Sequence, residues 1–299
     1  MHNKLSAAAK LRGILPPMAT PFNDQGEISY EGVREQIEFM VEKGVHGVVI
    51  GGSTGEGHTL GRDEFARLIA EADAALAGRL PLIPGLIVNS TQQAIERIGD
   101  LKGMNITALQ ITPVHYLFKP GPEETVDHFR RIYAETGVPI IIYNVVPWNY
   151  LDVSLMLRIM SEEPGVVGMK QSNGDLKSVS DLLQRRAQGA LVLSGIDALL
   201  YSAFSLGADG AITALTAAVP DTCVELWNAS QSEDHDRGLD LHWRLSRLWA
   251  ALSHDNLPSC VKYIQHRQGL GRYSSRTPMP GVSDRQAKAI DRALSDLRT

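Results

Sequence analysis

Eight short apolar segments rich in β-branched residues alternate along the chain with longer segments of helical periodicity, and this alternation constrains the fold most. The strand-like segments are 13–19, 47–51, 80–87, 108–112, 139–145, 166–170, 190–194 and 210–214. Between them lie the amphipathic segments 30–43, 62–76, 91–101, 123–135, 153–160, 176–186 and 197–206, with apolar residues three and four apart. The pattern predicts parallel strands that are buried on both faces.

Two parallel architectures are compatible with this repeat, an open doubly wound sheet and a closed barrel. An open dinucleotide-binding sheet requires a GxGxxG turn after its first strand, and residues 13–22 contain none. Eight evenly spaced units therefore favour an α/β fold of the (β/α)8 TIM-barrel type. Segments 220–252, 258–269 and 284–297 are also helical, so we expect a barrel core at 1–220 and a C-terminal helical extension at 221–299 that packs on it.

Charge and composition exclude several other classes of protein. The formal charge is −5 and Lys and Arg are scattered, so nucleic acid is not an expected partner. No apolar run is long enough for a signal peptide or a membrane span. Two cysteines, Cys223 and Cys260, are too few for a disulfide framework. We expect a cytoplasmic protein that does not contact membranes.

In such barrels the reacting groups lie at the carboxyl ends of the strands, and one lysine stands there. Lys170 ends the apolar segment 166–170. Burial at the barrel mouth would lower the pKa of its ammonium group and leave a nucleophilic amine that can condense with a ketone. The alternative is a structural lysine paired with a carboxylate.

Tyr143 ends segment 139–143, where a phenol can transfer protons. The alternative is a tyrosine at the rim of the barrel whose hydroxyl lies in water.

A glycine-rich turn, Gly51-Gly52-Ser53-Thr54-Gly55-Glu56, follows the second strand-like segment. Its backbone N–H groups can hold an anion such as the carboxylate of a 2-oxo acid, or it is a plain tight turn. The same residues spell GxSxG, the pattern of a hydrolase nucleophile at Ser53. Asp197 with His254 or His266 would complete a triad, although both histidines fall in the helical extension.

The nine histidines show no HExxH or similar ligand spacing, so no metal site is expected. Most are expected to be surface or rim residues. His115 follows Thr112 and Pro113 at a strand end, where it would be able to contact substrate.

Several motifs in order resemble the dihydrodipicolinate synthase / N-acetylneuraminate lyase family over nearly the whole chain. They are Pro17-Met18-Ala19-Thr20-Pro21-Phe22, Gly52-Ser53-Thr54-Gly55-Glu56, Tyr143-Asn144-Val145, Val167-Gly168-Met169-Lys170, Leu193-Ser194-Gly195 and Gly207-Ala208-Asp209-Gly210. The resemblance implies that Lys170 forms a Schiff base, that Tyr143 moves protons and that no cofactor is used. It also implies a homotetramer built from tight dimers.

The resemblance further implies which residues bind the substrate. Thr54 would act with Lys170 and Tyr143 in catalysis and would bind the 2-oxo acid together with neighbouring residues of the turn. The implied substrate-binding residues are Gly52, Ser53, Thr54, His115, Gly195 and Ile212.

The chain departs from the family's pattern where the second substrate would bind. Segment 143–150 is one residue longer than in dihydrodipicolinate synthases and lacks the arginine that binds the second substrate's carboxylate there. His115 replaces the interface tyrosine, unless Tyr116 takes that role. In the segment 195–198, the acidic residue that follows Asp197 in sialic acid lyases is absent. Trp148 and Tyr150 indicate a bulkier or more apolar second substrate.

The chain is thus interpreted as a Schiff-base-forming lyase that cleaves or forms an aldol bond between pyruvate, or another 2-oxo acid, and an aldehyde. A dehydratase or deaminase of a 3-deoxy-2-oxo acid would use the same imine. The alternatives from other classes are a serine hydrolase that uses Ser53 and a 2-oxo acid binding protein without catalysis.

Overall fold

Eight parallel strands form one sheet that closes into a barrel, which confirms the (β/α)8 prediction. The computed structural model describes residues 8–114 and 116–298. The strands are β1 Gly13–Ile14, β2 Val48–Ile50, β3 Leu82–Leu86, β4 Leu109–Ile111, β5 Ile140–Asn144, β6 Val166–Gln171, β7 Leu191–Ser194 and β8 Gly210–Ala211. Their order is β1-β8-β7-β6-β5-β4-β3-β2. Closure between β1 and β2 comes from the Met18 N–H, which donates to the Val49 carbonyl at 2.9 Å.

Each strand is followed by at least one helix or helical turn. The α-helices are α1 Tyr30–Glu42, α2 Arg62–Leu76, α3 Thr91–Gly99, α4 Pro122–Thr136, α5 Val153–Glu162, α6 Leu176–Arg185, α7 Leu200–Ser205, α8 Ala214–Ala218, α9 Pro220–Gln231, α10 His235–Leu252, α11 Leu257–His266 and α12 Asp284–Arg298. Ser29, Ser90 and Asp152 accept hydrogen bonds from backbone N–H groups in the first turns of α1, α3 and α5. These side chains explain where the three helices begin.

The expected continuous helix over 220–252 is wrong, because α9 and α10 are separate helices. Glu233 between them has φ +59°, a left-handed conformation that no helix continues through. Asp234 then accepts a hydrogen bond from the Arg237 N–H at 3.1 Å and starts α10. The division of the chain into a core at 1–220 and an extension at 221–299 stays a prediction.

Apolar side chains pack in two layers. The larger layer lies between the strands and the helices. The smaller one fills the barrel and contains Val49, Ile83, Ile141, Val167 and Ile212 among others. Because side chains alternate across a strand, Tyr143 lies on the same inward face of β5 as Ile141.

A β-bulge in β6 decides which side chain faces the barrel interior. Ile140 pairs with Val166, but Ile141 pairs with Gly168, so Val167 is an extra residue. Val167 points into the barrel, whereas Met169 packs in the outer layer. Strict alternation from Val167 onward would have turned Met169 inward and Lys170 outward. The bulge therefore brings Lys170 level with Tyr143, its Cα partner on β5.

Within 8–114 and 116–298, no helix is long and apolar enough to cross a membrane. The same residues contain no group of three His, Cys, Asp or Glu side chains arranged to hold a metal ion.

Candidate active site

Lys170 is buried at the carboxyl end of β6, with 5% of its surface exposed. Its Nζ lies 3.7 Å from the centroid of the Tyr143 ring. In the described part of the chain, Lys170 forms no salt bridge, unlike the buried Lys262. Among the described residues, no carboxylate therefore holds this side chain in an ion pair.

Tyr143 connects the lysine to the glycine-rich turn. Its hydroxyl donates a hydrogen bond to Ser53 Oγ at 3.2 Å. Ser53 is exposed and Thr54 next to it is half-buried. An amine, a phenol and a hydroxyl-bearing turn thus meet at one end of the barrel, although the turn is 90 positions from Tyr143 in sequence.

The turn after β2 is folded tightly on itself. The Glu56 N–H donates to the Ser53 carbonyl and the Gly57 N–H to the Gly52 carbonyl, both at 3.0 Å. A Cβ on Gly57 would lie 1.8 Å from the Gly51 carbonyl oxygen, so only glycine fits there. The backbone of residues 52–57 is consequently held in one conformation.

A buried ion pair that sequence reasoning missed anchors this turn to the C-terminal region. Lys262 Nζ lies 2.6 Å from Glu56 Oε1, and both side chains are at most 1% exposed. The Arg276 N–H donates to Glu56 Oε2 at 2.9 Å. Burial lowers the pKa of Lys262, and the Glu56 carboxylate opposes that effect. The only sequence signals were an acid in a glycine-rich turn and a lysine among the apolar residues of α11.

Gly195 lies against Lys170, and its contact with substrate stays a prediction. A Cβ on Gly195 would lie 2.0 Å from Ser172 Oγ and 3.1 Å from Lys170 Cε. Ile212 is fully buried in the apolar layer inside the barrel. Its contact with substrate stays a prediction. His115 lies outside the described residues.

The nominated hydrolase triad is not assembled. Asp197 is buried and its Oδ1 accepts a hydrogen bond from the Leu215 N–H at 2.6 Å, where α8 begins. Burial raises the pKa of Asp197 to about 6, against hydrogen bonds and the Lys170 charge, which lower it. His266 Nδ1 is 2.9 Å from the Leu270 carbonyl in the C-terminal region. Among the described residues no histidine hydrogen-bonds Ser53 or Asp197.

Several polar atoms around the site are buried without a hydrogen-bond partner in the described part of the chain. They include Gln110 Oε1 and Thr112 Oγ1 from β4 and its carboxyl end, and Ser172 Oγ after β6. Native proteins rarely leave buried polar groups unpaired. These atoms are therefore available to a polar ligand or to water.

The loop after β5 is tied to its neighbours by uncharged groups. The Asn149 amide donates to the Val114 carbonyl at 2.6 Å, and the Tyr150 hydroxyl donates to the Ser172 carbonyl at 3.3 Å. Burial raises the pKa of Tyr150, as does the nearby Tyr143. Trp148 is 66% exposed. The polar groups that this loop carries are thus an amide, a phenol and an indole, none of which is charged.

Comparison with known proteins gives matches over nearly the whole chain. The model of the dihydrodipicolinate synthetase family matches residues 10–297. The 4-hydroxy-tetrahydrodipicolinate synthase of Methanopyrus kandleri is 31% identical, with 96% of this chain and 97% of that protein covered. The enzyme of the same name from Nitrosomonas europaea is 33% identical, with 94% and 97% covered.

Solved structures of dihydrodipicolinate synthases also match nearly the whole chain. Dihydrodipicolinate synthase from Aquifex aeolicus superposes with a TM-score of 0.90 at 28% identity, covering 96% of this chain and 98% of that one. The wild-type sialic acid aldolase of Ruminococcus gnavus reaches a TM-score of 0.87 at 22% identity, covering 96% and 99%. At that identity the second likeness concerns the fold alone.

Proposed function

Since this chain belongs to the dihydrodipicolinate synthetase family, we propose that Lys170 is the residue that forms its Schiff base with pyruvate. The protein is a lyase of the class I, pyruvate-dependent aldolase type, and enzymes of this family use a lysine Schiff base without a cofactor. The observation that carries the assignment is the buried Lys170 amine beside the Tyr143 ring, with Tyr143 hydrogen-bonded to Ser53.

The proposed reaction begins when the neutral amine of Lys170 adds to C2 of the 2-oxo acid. Tyr143 gives a proton to the C2 hydroxyl, which leaves as water, and a protonated imine remains. Loss of a C3 proton then forms an enamine. Its C3 attacks the carbonyl carbon of an aldehyde, whose oxygen takes up a proton. Water hydrolyses the imine and frees the amine, and cleavage is the reverse sequence.

Ser53 and Thr54 are proposed to bind the carboxylate of the 2-oxo acid. Their hydroxyls and the N–H groups of the turn are donors, and the turn is too tightly folded to rearrange. Donors that are held in place before the substrate arrives reduce the entropy lost on binding. Thr54 is proposed to relay protons together with Tyr143.

Borohydride trapping tests the lysine assignment. With pyruvate present, reduction is expected to add the mass of one reduced pyruvate imine to the peptide that contains Lys170. Lys262 serves as the internal control, because it is equally buried but is held by Glu56. Labelling of Lys262 in place of Lys170, or no labelling at all, would contradict the proposal. Labelling of Ser53 by a fluorophosphonate would favour the hydrolase.

We propose an uncharged aldehyde as the second substrate. Segment 147–150 carries Trp148, Asn149 and Tyr150 and no cation that would neutralise a second carboxylate. A panel of aliphatic, aromatic and sugar aldehydes with pyruvate tests this. It should include a 3-deoxy-2-oxo sugar acid, because the same imine permits loss of a β-hydroxyl as water. Turnover confined to an aldehyde that bears a carboxylate would contradict the proposal.

We also propose a cytoplasmic homotetramer. Tyr116, Leu117 and Phe118 are each more than 70% exposed in the loop after β4. Three adjacent exposed apolar side chains are typical of a covered interface. Both cysteines are free and buried, which suits a reducing compartment. Sedimentation of the purified protein as a monomer would contradict the assembly.

A further inference from the structure

Gln110 is a polar side chain that points into the barrel from β4. Its neighbours Leu109 and Ile111 pack in the outer apolar layer, so alternation turns Gln110 and Thr112 inward. Gln110 is 1% exposed, and among the described residues its carbonyl oxygen has no hydrogen-bond partner.

The amide group of Gln110 lies beneath the glycine-rich turn. Its Nε2 is 3.4 Å from the point that a Cβ on Gly52 would occupy. Its Cα partner on β5 is Ile141, two residues before Tyr143. Gln110 therefore lies two residues further from the carboxyl end of the barrel than Tyr143 and Lys170, on the side where the glycine-rich turn lies.

Packing does not account for a glutamine at this position. Other inward-pointing side chains, such as Val49, Ile83 and Ile141, are apolar and fill the barrel well. A buried amide loses its hydrogen bonds to water and stabilises nothing unless it gains a partner. A carbonyl oxygen is an acceptor, so its missing partner is a donor such as water, and the N–H group of the same amide is the part that can bind an anion.

We propose that Gln110 binds the carboxylate of the 2-oxo acid from inside the barrel, beneath Ser53 and Thr54. This proposal rests on the function proposed above, which puts that carboxylate on the turn. The amide N–H group, next to Gly52, is the donor, and the amide oxygen is left for a water molecule within the barrel.

Gln110→Glu tests the proposal with a side chain of the same size. At pH 8 the variant is expected to need more than tenfold more pyruvate for half-maximal borohydride trapping at Lys170, because a carboxylate repels the bound carboxylate. The deficit is expected to shrink as the pH falls, since the introduced carboxyl group can donate a hydrogen bond once it is protonated. Gln110→Leu is expected to raise the half-saturating concentration about tenfold at every pH, with kcat nearly unchanged.

Gln36→Leu is the matched control, because it removes another buried amide, one that donates to the Ala19 carbonyl at 2.8 Å. It is expected to lower Tm without changing the half-saturating pyruvate concentration. The inference is overturned if both Gln110 variants stay within twofold of the wild type at pH 8. If wild-type Lys170 itself is not labelled by pyruvate, the proposed function fails first, and the two failures are distinguishable.

Discussion

The proposed role of Tyr143 in proton transfer predicts that a single change at this residue impairs the chemical step more than binding. Tyr143→Phe keeps the ring beside Lys170 but removes the hydroxyl that donates to Ser53. Loss of a general acid and base commonly lowers turnover by two to four orders of magnitude, about 10²–10⁴-fold. We expect that loss in aldol turnover, with slower but detectable labelling of Lys170.

Tyr263→Phe is the control for that experiment. The Tyr263 hydroxyl donates to Asp291 in the C-terminal helices, at 3.1 Å from each carboxylate oxygen. Its removal is expected to leave turnover within a factor of about two. Equal losses in the two variants would mean that Tyr143 acts through stability alone.

A second single-residue change, Gly195→Ala, is expected to impair the labelling of Lys170 by pyruvate. A methyl group at this position would meet Ser172 Oγ at 2.0 Å, the Gln171 carbonyl oxygen at 2.9 Å and Lys170 Cε at 3.1 Å. Because one of these atoms belongs to the backbone, Gly195→Ala is expected to displace Lys170. Labelling by pyruvate should fall by about 100-fold or more, since a misplacement of about 1 Å has effects of that order.

Gly99→Ala is the matched control, because nothing lies within 4 Å of a Cβ at the end of α3. It should leave labelling unchanged. If Gly195→Ala is labelled as fast as Gly99→Ala, Gly195 does not define the space around Lys170.

Among the elements, the Glu56 and Lys262 pair joins α11 to the turn after β2. Lys262→Met would leave the Glu56 carboxylate buried without its cation, although the Arg276 N–H would still donate to it. Removing one member of a buried pair costs about 3–5 kcal/mol, and we expect urea denaturation to show a loss of this size. Half-saturating pyruvate should also rise, because Glu56 belongs to the turn.

Adding Glu56→Gln to Lys262→Met removes the unpaired charge. The double variant is expected to regain part of the lost unfolding free energy. A single Lys262→Met variant as stable as the wild type would show that the pair contributes little.

The elements themselves were largely predictable, and the differences have local causes. All eight strands occur in the predicted order, because continuous apolar runs mark strands that are buried on both faces. β1 ends at Ile14 instead of Ala19, since Pro16 and Pro17 have no N–H to donate to a ladder. β8 ends at Ala211 instead of residue 214. The chain turns into α8 there, and Asp197 accepts a hydrogen bond from the Leu215 N–H in the first turn of that helix.

What could not be predicted depends on contacts distant in sequence. Lys170 and Tyr143 were nominated because each ends an apolar run, where such barrels place their reacting groups, and their catalytic roles stay a prediction. Glu56 and Lys262 are 206 positions apart, and no local period relates them. Gln110 lies inside a strand-like run, and the sequence gives no sign that its amide oxygen is unpaired among the described residues.

For the whole molecule, His128 makes stability depend on pH. Burial lowers the pKa of His128 in the folded protein to about 4, against an ordinary value near 6.5. Between these values the unfolded chain binds more protons, so unfolding becomes easier as the pH falls. From pH 7 to pH 4.5 this group is expected to remove about 2–3 kcal/mol of stability.

Urea denaturation of wild type and His128→Leu at the two pH values isolates that contribution, because Asp197, whose pKa is raised, is present in both proteins. The variant is expected to lose less stability on acidification. Parallel loss in both proteins would show that His128 is protonated normally in the folded state.

The extra residue Val167 decides which side chain of β6 stands beside Tyr143, and so whether the lysine that is proposed to form the imine faces the barrel interior. A sixth strand with the same residues but no bulge would pair Val167 with Ile141, and Met169 would then stand opposite Tyr143 in place of Lys170. Such a protein would carry every residue of the motif, but under the proposed mechanism it is expected to form no imine. Whether a homologous barrel can form an imine should therefore be judged by the register of its sixth strand against its fifth, and not by finding a lysine there.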